Sequence, residues 1–272
     1  MPKRTRDRHL AKLAARRAEE RRRKQRKRST TLGIITAVAV AVLGLVVLSL
    51  VTGNQKPKHR ASPTPSASPG AQTGTVTPQP APAKVACGAK APPEAGKPKP
   101  QFAGPPSMTI DAKKTYTATL VTSCGKIVIQ LDATNAPTTV NSFVFLADQR
   151  YFDGQYFHRI ANTIDLIQGG DPTGTGTGTP GYNIRDELKG KEKYGPGVVA
   201  MAKAQAPNTG GSQFFVVTGS QGHNLDASPV YAIFGRVIRG LEVAKRIQAL
   251  PVNGETPKLA VYIDHVTIRV SK

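Results

Sequence analysis

The sequence predicts a mainly-β domain, a closed antiparallel barrel of eight strands with two helices over its ends, preceded by one transmembrane helix and a Pro-rich linker. Three observations carry this. Eight short strand-like segments lie between Tyr116 and Val270, only two stretches in that region have helical periodicity, and an uncharged apolar run of 20 residues stands well before them. An α/β sheet would need a helix between most strands, so the ratio of strands to helices favours a barrel.

The N-terminal block, 1–30, holds 14 Lys/Arg and 3 Asp/Glu, including the run from Arg21 to Arg28. Such a run suits nucleic acid or an anionic lipid surface, and the next segment of the chain decides between them. Ser29 to Gln55 carries no charge, and Leu32 to Val51 is almost entirely apolar. Twenty residues at 1.5 Å each span about 30 Å, the thickness of a bilayer's hydrocarbon. Residues 31–52 are therefore read as a transmembrane helix; a cleaved secretory signal has a shorter apolar core and a small-residue cleavage site. The excess of Lys/Arg before the helix places the N-terminus in the cytoplasm and the rest of the chain outside, in a single-pass cell-membrane protein with no nucleic-acid partner.

Residues 53–107 hold 13 of the 22 prolines, mixed with Ser, Thr, Ala and Gly. So few large apolar side chains do not offset the entropy of ordering, which predicts an extended linker. The chain's two cysteines are Cys87, late in this linker, and Cys124 in the domain. Outside the membrane a disulfide is allowed. It would tie the linker's end to the domain and, in the chain-entropy model, contribute about 3–4 kcal/mol; two separate thiols are the other reading.

Within 108–272, Tyr116–Ser123 and Lys126–Leu131 read as strands around a turn at Cys124-Gly125. Asn135–Asp148 has a capping residue, an early proline and one apolar face, which predicts a helix. Further strands are expected at Tyr156–Ile160, Ile164–Gln168, Gly197–Ala202, Gln213–Thr218, Val230–Ile238 and Ala260–Val270, with a second helix over Gly240–Leu250.

The stretch Gly169–Gly181 contains a formal G-x-G-x-x-G at Gly176, Gly178 and Gly181. A dinucleotide site needs that motif to open a helix, and Pro180 with the polar residues after it opens none, so a surface loop is expected. The five histidines are too dispersed for a local ligand pair and the cysteines form no CxxC; no metal or cofactor is expected. A G-x-S-x-G elbow is absent too.

Two segments are more specific: Tyr156-Phe-His-Arg-Ile160 with Gln168-Gly-Gly-Asp171 after it, and Pro207-Asn-Thr-Gly-Gly-Ser-Gln-Phe-Phe-Val-Val-Thr218, with Phe234-Gly-Arg-Val237 downstream. In this order they resemble the cyclophilin family of peptidyl-prolyl isomerases over roughly 112–270. The resemblance implies a cyclophilin-like eight-stranded barrel capped by two helices, acting on proline-containing polypeptides, and here on exported proteins outside a bacterial membrane. It implies catalytic roles for Arg159, Gln168 and Phe215, and substrate contacts from Leu166, Ala202, Leu225, Tyr231 and His158. His158 is expected to be structural, since the reaction moves no proton, and Phe214 is assigned to the core. Three departures stand out: one extra residue before Gln168, so that Ile164 or Asp165 replaces a phenylalanine; Asn224 in place of a tryptophan; and Tyr231 in place of a histidine. The missing indole predicts weak cyclosporin binding, and an Asp165 wall would favour a proline-peptide binding module with little turnover.

Overall fold

Along Thr115–Thr122 every second residue is buried, the period-2 signature of a strand with one face on a core. The computed structural model describes residues 68–271, and this strand is β3 in a chain of twelve. The others are β1 (Gln72–Val76), β2 (Lys99–Phe102), β4 (Gly125–Leu131), β5 (Arg159–Ala161), β6 (Leu166–Gly169), β7 (Val198–Met201), β8 (Phe214–Val217), β9 (Ile233–Arg239), β10 (Val252–Asn253), β11 (Thr256–Pro257) and β12 (Ile263–Ser271). The α-helices are α1 (Pro137–Asp148) and α2 (Leu241–Gln248), with a 3-10 helix at Ser220–Ala227.

Eight strands form one antiparallel sheet in the order β12-β3-β4-β9-β7-β8-β6-β5. They are the eight predicted strands, with ends shifted by a few residues. The expected closure differs: the sheet is a half-barrel, because no ladder joins edge strands β5 and β12. Between them the irregular stretch before β5 makes only a local bridge, Tyr156 to Tyr262, with Phe157 N–H donating to Val261 O at 3.0 Å and Gly154 N–H to Ile263 O at 2.7 Å.

Inside the curl, Val140, Phe143 and Leu146 of α1 pack with Phe152, Phe157, Phe214 and Phe234, all buried. The rings of Phe143 and Phe152 stack at 5.0 Å, and Phe214 meets both edge-on. The capping residue expected at Asn135 does not cap α1. Its first turn instead donates from the Thr138 and Thr139 amides to the two Glu187 carboxylate oxygens, each at 2.9 Å. A carboxylate satisfies free amides and opposes the helix dipole equally well from a distant loop.

The tail 1–30, the expected transmembrane helix 31–52 and the linker to residue 67 lie outside the described residues. Among the described residues no helix is long and apolar enough to cross a membrane. The larger part of the expected linker, 68–107, is folded rather than extended. Strands β1 and β2 pair antiparallel, Phe102 is buried against Phe145, Tyr151 and Tyr182, and the buried Lys99 ammonium donates to Asp153 O. Ala86 N–H donates to Ala260 O at 2.9 Å and Ala260 N–H to Lys84 O at 2.8 Å. Two glycines of the half-barrel make room for this segment. A Cβ on Gly154 would lie 2.2 Å from the Glu94 carbonyl carbon, and one on Gly181 2.5 Å from Phe102 O; both also have positive φ, which glycine alone adopts freely. Composition misleads here because a few anchors docking on a preformed surface suffice to order a segment with no apolar periodicity of its own.

Cys87 and Cys124 form a disulfide, with Cα atoms 5.3 Å apart. The bridge joins the segment to the turn between β3 and β4. A Cys87→Ala/Cys124→Ala double variant is expected to lose about 3–4 kcal/mol of unfolding free energy, measured by urea denaturation of the full chain.

Candidate active site

Strand pairing places the site residues in register. Arg159 of β5 lies opposite Gln168 of β6, Gln168 opposite Phe215 of β8, and Phe215 opposite Ala200 of β7. Because side chains alternate across a strand, Phe214 enters the interior cluster while Phe215 faces the other way. There it joins Leu166, Tyr194, Ala200 and Ala202 in a second buried cluster, flanked by Ile164, Leu225 and Tyr231. All eight predicted residues, Arg159, Gln168, Phe215, Leu166, Ala202, Leu225, Tyr231 and His158, line one cleft of about 430 Å³.

Its floor is rigid. The Phe215 and Tyr231 rings meet perpendicularly at 5.3 Å, and Tyr194 holds Tyr231 through its hydroxyl, which donates to Tyr231 O at 2.8 Å and accepts from Tyr231 N–H at 3.0 Å. Such edge-to-face contact fixes an apolar surface without strain.

Above it, Arg159 is clamped from two sides. Nε donates to Glu255 Oε2 at 2.7 Å, Nη2 to Glu255 Oε1 at 3.2 Å and Nη1 to Gln168 Oε1 at 2.9 Å. A guanidinium has five N–H donors, so one remains on each terminal nitrogen for a ligand. Gln168 in turn donates from Nε2 to Gln213 Oε1 at 2.9 Å, and Gln213 Nε2 donates to Gly176 O and Gly178 O at 3.1 and 2.9 Å. The Gly-rich loop is thus a loop as expected, and Gly174, Thr175 and Gly176 also line the cleft.

Sequence reasoning missed Glu255, Gln213's part and Tyr194. Glu255 sits in the two-residue turn of the β10–β11 hairpin, docked on β5 by Ile160 N–H donating to Glu255 O at 2.8 Å. The Asn253-Gly254 pair signals a turn, but nothing local says which arginine the turn will face. Asp165, the residue expected to form a polar wall, turns away. Its carboxylate accepts from Gln221 N–H at 2.9 Å and from Gln248 Nε2 at 3.0 Å, leaving Ile164 on the cleft. Asn224 is exposed and donates to Gln221 Oε1 at 3.2 Å.

His158 is buried with neither ring nitrogen hydrogen-bonded within the described residues. Burial pushes its imidazole below the ordinary 6.5, against a weaker opposing pull from Asp171. Among the described residues no group of three His, Cys, Asp or Glu is placed to hold a metal ion.

An apolar slot beneath a clamped guanidinium, on the outer face of an antiparallel half-barrel, suits non-covalent binding of an apolar residue beside a hydrogen-bond acceptor. Similarity to known proteins gives the particular family. Residues 117–268 match the model of the cyclophilin type peptidyl-prolyl cis-trans isomerases, and the chain belongs to that family. It is 40% identical over 159 residues to the human peptidyl-prolyl cis-trans isomerase-like 3, covering 56% of this chain and 96% of that protein. The probable peptidyl-prolyl cis-trans isomerase A of Mycobacterium bovis is 38% identical over 181 residues, 60% of this chain and 97% of its own length. A Cryptosporidium parvum cyclophilin type isomerase, crystallised in the presence of the dipeptide Ala-Pro, matches with a TM-score of 0.52 and 31% identity over 56% of this chain and 98% of that one. The chain is a cyclophilin-type peptidyl-prolyl cis-trans isomerase.

The His158 environment has a pH signature. Its pKa is lowered on folding, so as pH falls through about 6.5 the unfolded chain takes up a proton that the native state does not. Stability is full above that pH and declines below it. Denaturant melts between pH 7 and 5 are expected to show this slope in the wild type and a flatter one in His158→Leu.

Proposed function

We propose that Arg159 is the catalytic group, that Phe215, Leu166, Leu225 and Tyr231 hold the substrate proline, and that the domain acts outside a bacterial membrane on exported polypeptides. The observation that supports it most is the double clamp on Arg159, which leaves free N–H donors in the same cleft as the apolar slot.

The chemistry needs no covalent step. An X-Pro bond isomerises over a barrier of roughly 18–20 kcal/mol because the amide loses resonance as it twists. In the twisted state the prolyl nitrogen carries a localised lone pair, an acceptor that the planar amide lacks. A guanidinium that donates to it stabilises the transition state more than the ground state, and that difference is catalysis. Glu255 and Gln168 fix the donor in advance, so little reorganisation accompanies the twist. Gln168, held by Gln213, and the backbone at Ala202 are assigned to substrate-chain binding. His158, buried and uncharged at neutral pH, is assigned to packing.

A binding module with little turnover is the competing reading, and it depends on a polar wall at Asp165. With Asp165 turned toward Gln221 and Gln248, that support is gone.

The membrane assignment rests on the sequence: the basic tail and the apolar run 31–52 tether the enzyme at the surface where exported chains emerge, with the tail in the cytoplasm. Deleting residues 31–52 is expected to release the protein from the membrane fraction. Cyclosporin affinity is expected to be weak, since Asn224 offers no indole, and nanomolar inhibition would refute this. In an X-Pro peptide assay, Arg159→Ala is expected to lower kcat/KM about 10²- to 10³-fold, the loss typical of a preorganised transition-state donor. An unchanged rate would sink the assignment.

A further inference from the structure

The segment 68–107 precedes the residues that match the family model, yet it is bound to the loop on which the arginine clamp ends. Gln79 N–H donates to Thr173 O at 2.8 Å, Phe102 N–H to Pro180 O at 2.9 Å, and Gln101 Nε2 to Thr179 O at 2.9 Å. These contacts hold the Gly-rich loop at its start and at its end. Between them lie Gly176 and Gly178, whose carbonyls accept both N–H groups of the Gln213 amide. With both hydrogens so committed, the amide is oriented with its oxygen toward Gln168 Nε2 at 2.9 Å. Gln168 in its turn has its oxygen on Arg159 Nη1 at 2.9 Å. The line of donors from Gln213 through Gln168 to Arg159 thus starts from the Gly-rich loop, whose Gly176 and Gly178 amides are bonded to Asp171 and whose two ends are bonded to the segment 68–107.

We propose that this segment is a built-in positioning strap for the active site, and that Gln101 is a positioning residue which sets the Gly-rich loop and, through Gln213 and Gln168, the orientation of Arg159. The hairpin is itself anchored: Phe102 packs into the aromatic cluster of Phe145, Tyr151 and Tyr182, Thr73 Oγ1 donates to Gln101 O at 3.2 Å, and the Cys87–Cys124 bridge ties the same segment to the β3–β4 turn. The loop alternates Gly with Thr and is held from within by the buried Asp171 carboxylate, which accepts from the Gly176 and Gly178 amides; the contacts from 68–107 add a second hold at Thr173, Thr179 and Pro180, on either side of the Gly176 and Gly178 carbonyls. A catalytic group misplaced by about 1 Å costs as much as 10²-fold in rate, which makes such a clamp consequential. The inference rests on Arg159 being the catalytic group.

The test uses Gln101→Ala and Gln101→Glu, the second keeping shape while removing the N–H donor, in the full chain with its disulfide intact. Gln101 lies partly exposed at the loop edge, so both variants keep the aromatic anchor. Each is expected to lower kcat for an X-Pro peptide about tenfold with KM nearly unchanged, as for a group that acts only in the transition state. Wild-type kcat in either would overturn the proposal. A double-mutant cycle with Gln213→Ala separates positioning from general loosening. If the strap acts through Gln213, the double variant is no slower than the slower single one, whereas losses that multiply would overturn the proposal. Arg159→Ala, measured beside them, tests the underlying reading by itself. Wild-type turnover there would overturn the proposal by removing the group being positioned, an outcome distinct from an inert Gln101.

Discussion

The position of the guanidinium in this cleft depends on one line of hydrogen bonds, from Glu255 through Arg159, Gln168 and Gln213 to the carbonyls of Gly176 and Gly178. A guanidinium on a flexible side chain loses considerable rotamer entropy when held in one place. Here that cost is met before any substrate arrives. The clamp draws on four separate places in the chain: the β10–β11 turn, strand β6, the residue just before β8 and a glycine loop. None of these is a neighbour of Arg159 in sequence except through pairing, so the sheet has to form before the arginine has a defined position.

The sheet makes that possible because its two faces have different roles. On the inner face Phe214 and Phe234 pack with Phe143 of α1, Phe152 and Phe157 into the main core. On the outer face Phe215, Leu166, Tyr194 and Ala200 form a smaller buried patch, and the cleft lies on it. Adjacent residues Phe214 and Phe215 belong to different faces purely because successive strand side chains alternate. A one-residue slip of β8 would place the wrong ring in the cleft and leave a gap in the core, so core packing and site geometry select the same register.

The eight strands and two helices were legible because their signals are local: period-2 alternation in β3, a proline near the start of α1, and an apolar face in α2. That the eight predicted residues share one cleft follows from short motifs whose strands fold side by side. What stayed hidden depends on long-range contact. Glu187 caps α1 from a distant loop, and Glu255 reaches Arg159 across 96 residues of chain. The ordering of 68–107 was hidden for the same reason, since its anchors, Phe102, Lys99 and Cys87, find partners only on the finished half-barrel.

The sequence by itself determined the eight strands, the two helices and the set of side chains that line the cleft, because alternation, helical period and motif spacing are properties of neighbouring residues. It also specifies the uncharged apolar run and the basic tail from which a membrane-held arrangement is inferred. Only the tertiary structure decided that the sheet stops at a half-barrel, that Asp165 faces away while Ile164 faces in, and that a proline-rich segment becomes part of the folded domain. Those outcomes depend on which surfaces meet once the sheet has curled. A carboxylate, an amide or a glycine acquires its role there only from the partner that folding places opposite it.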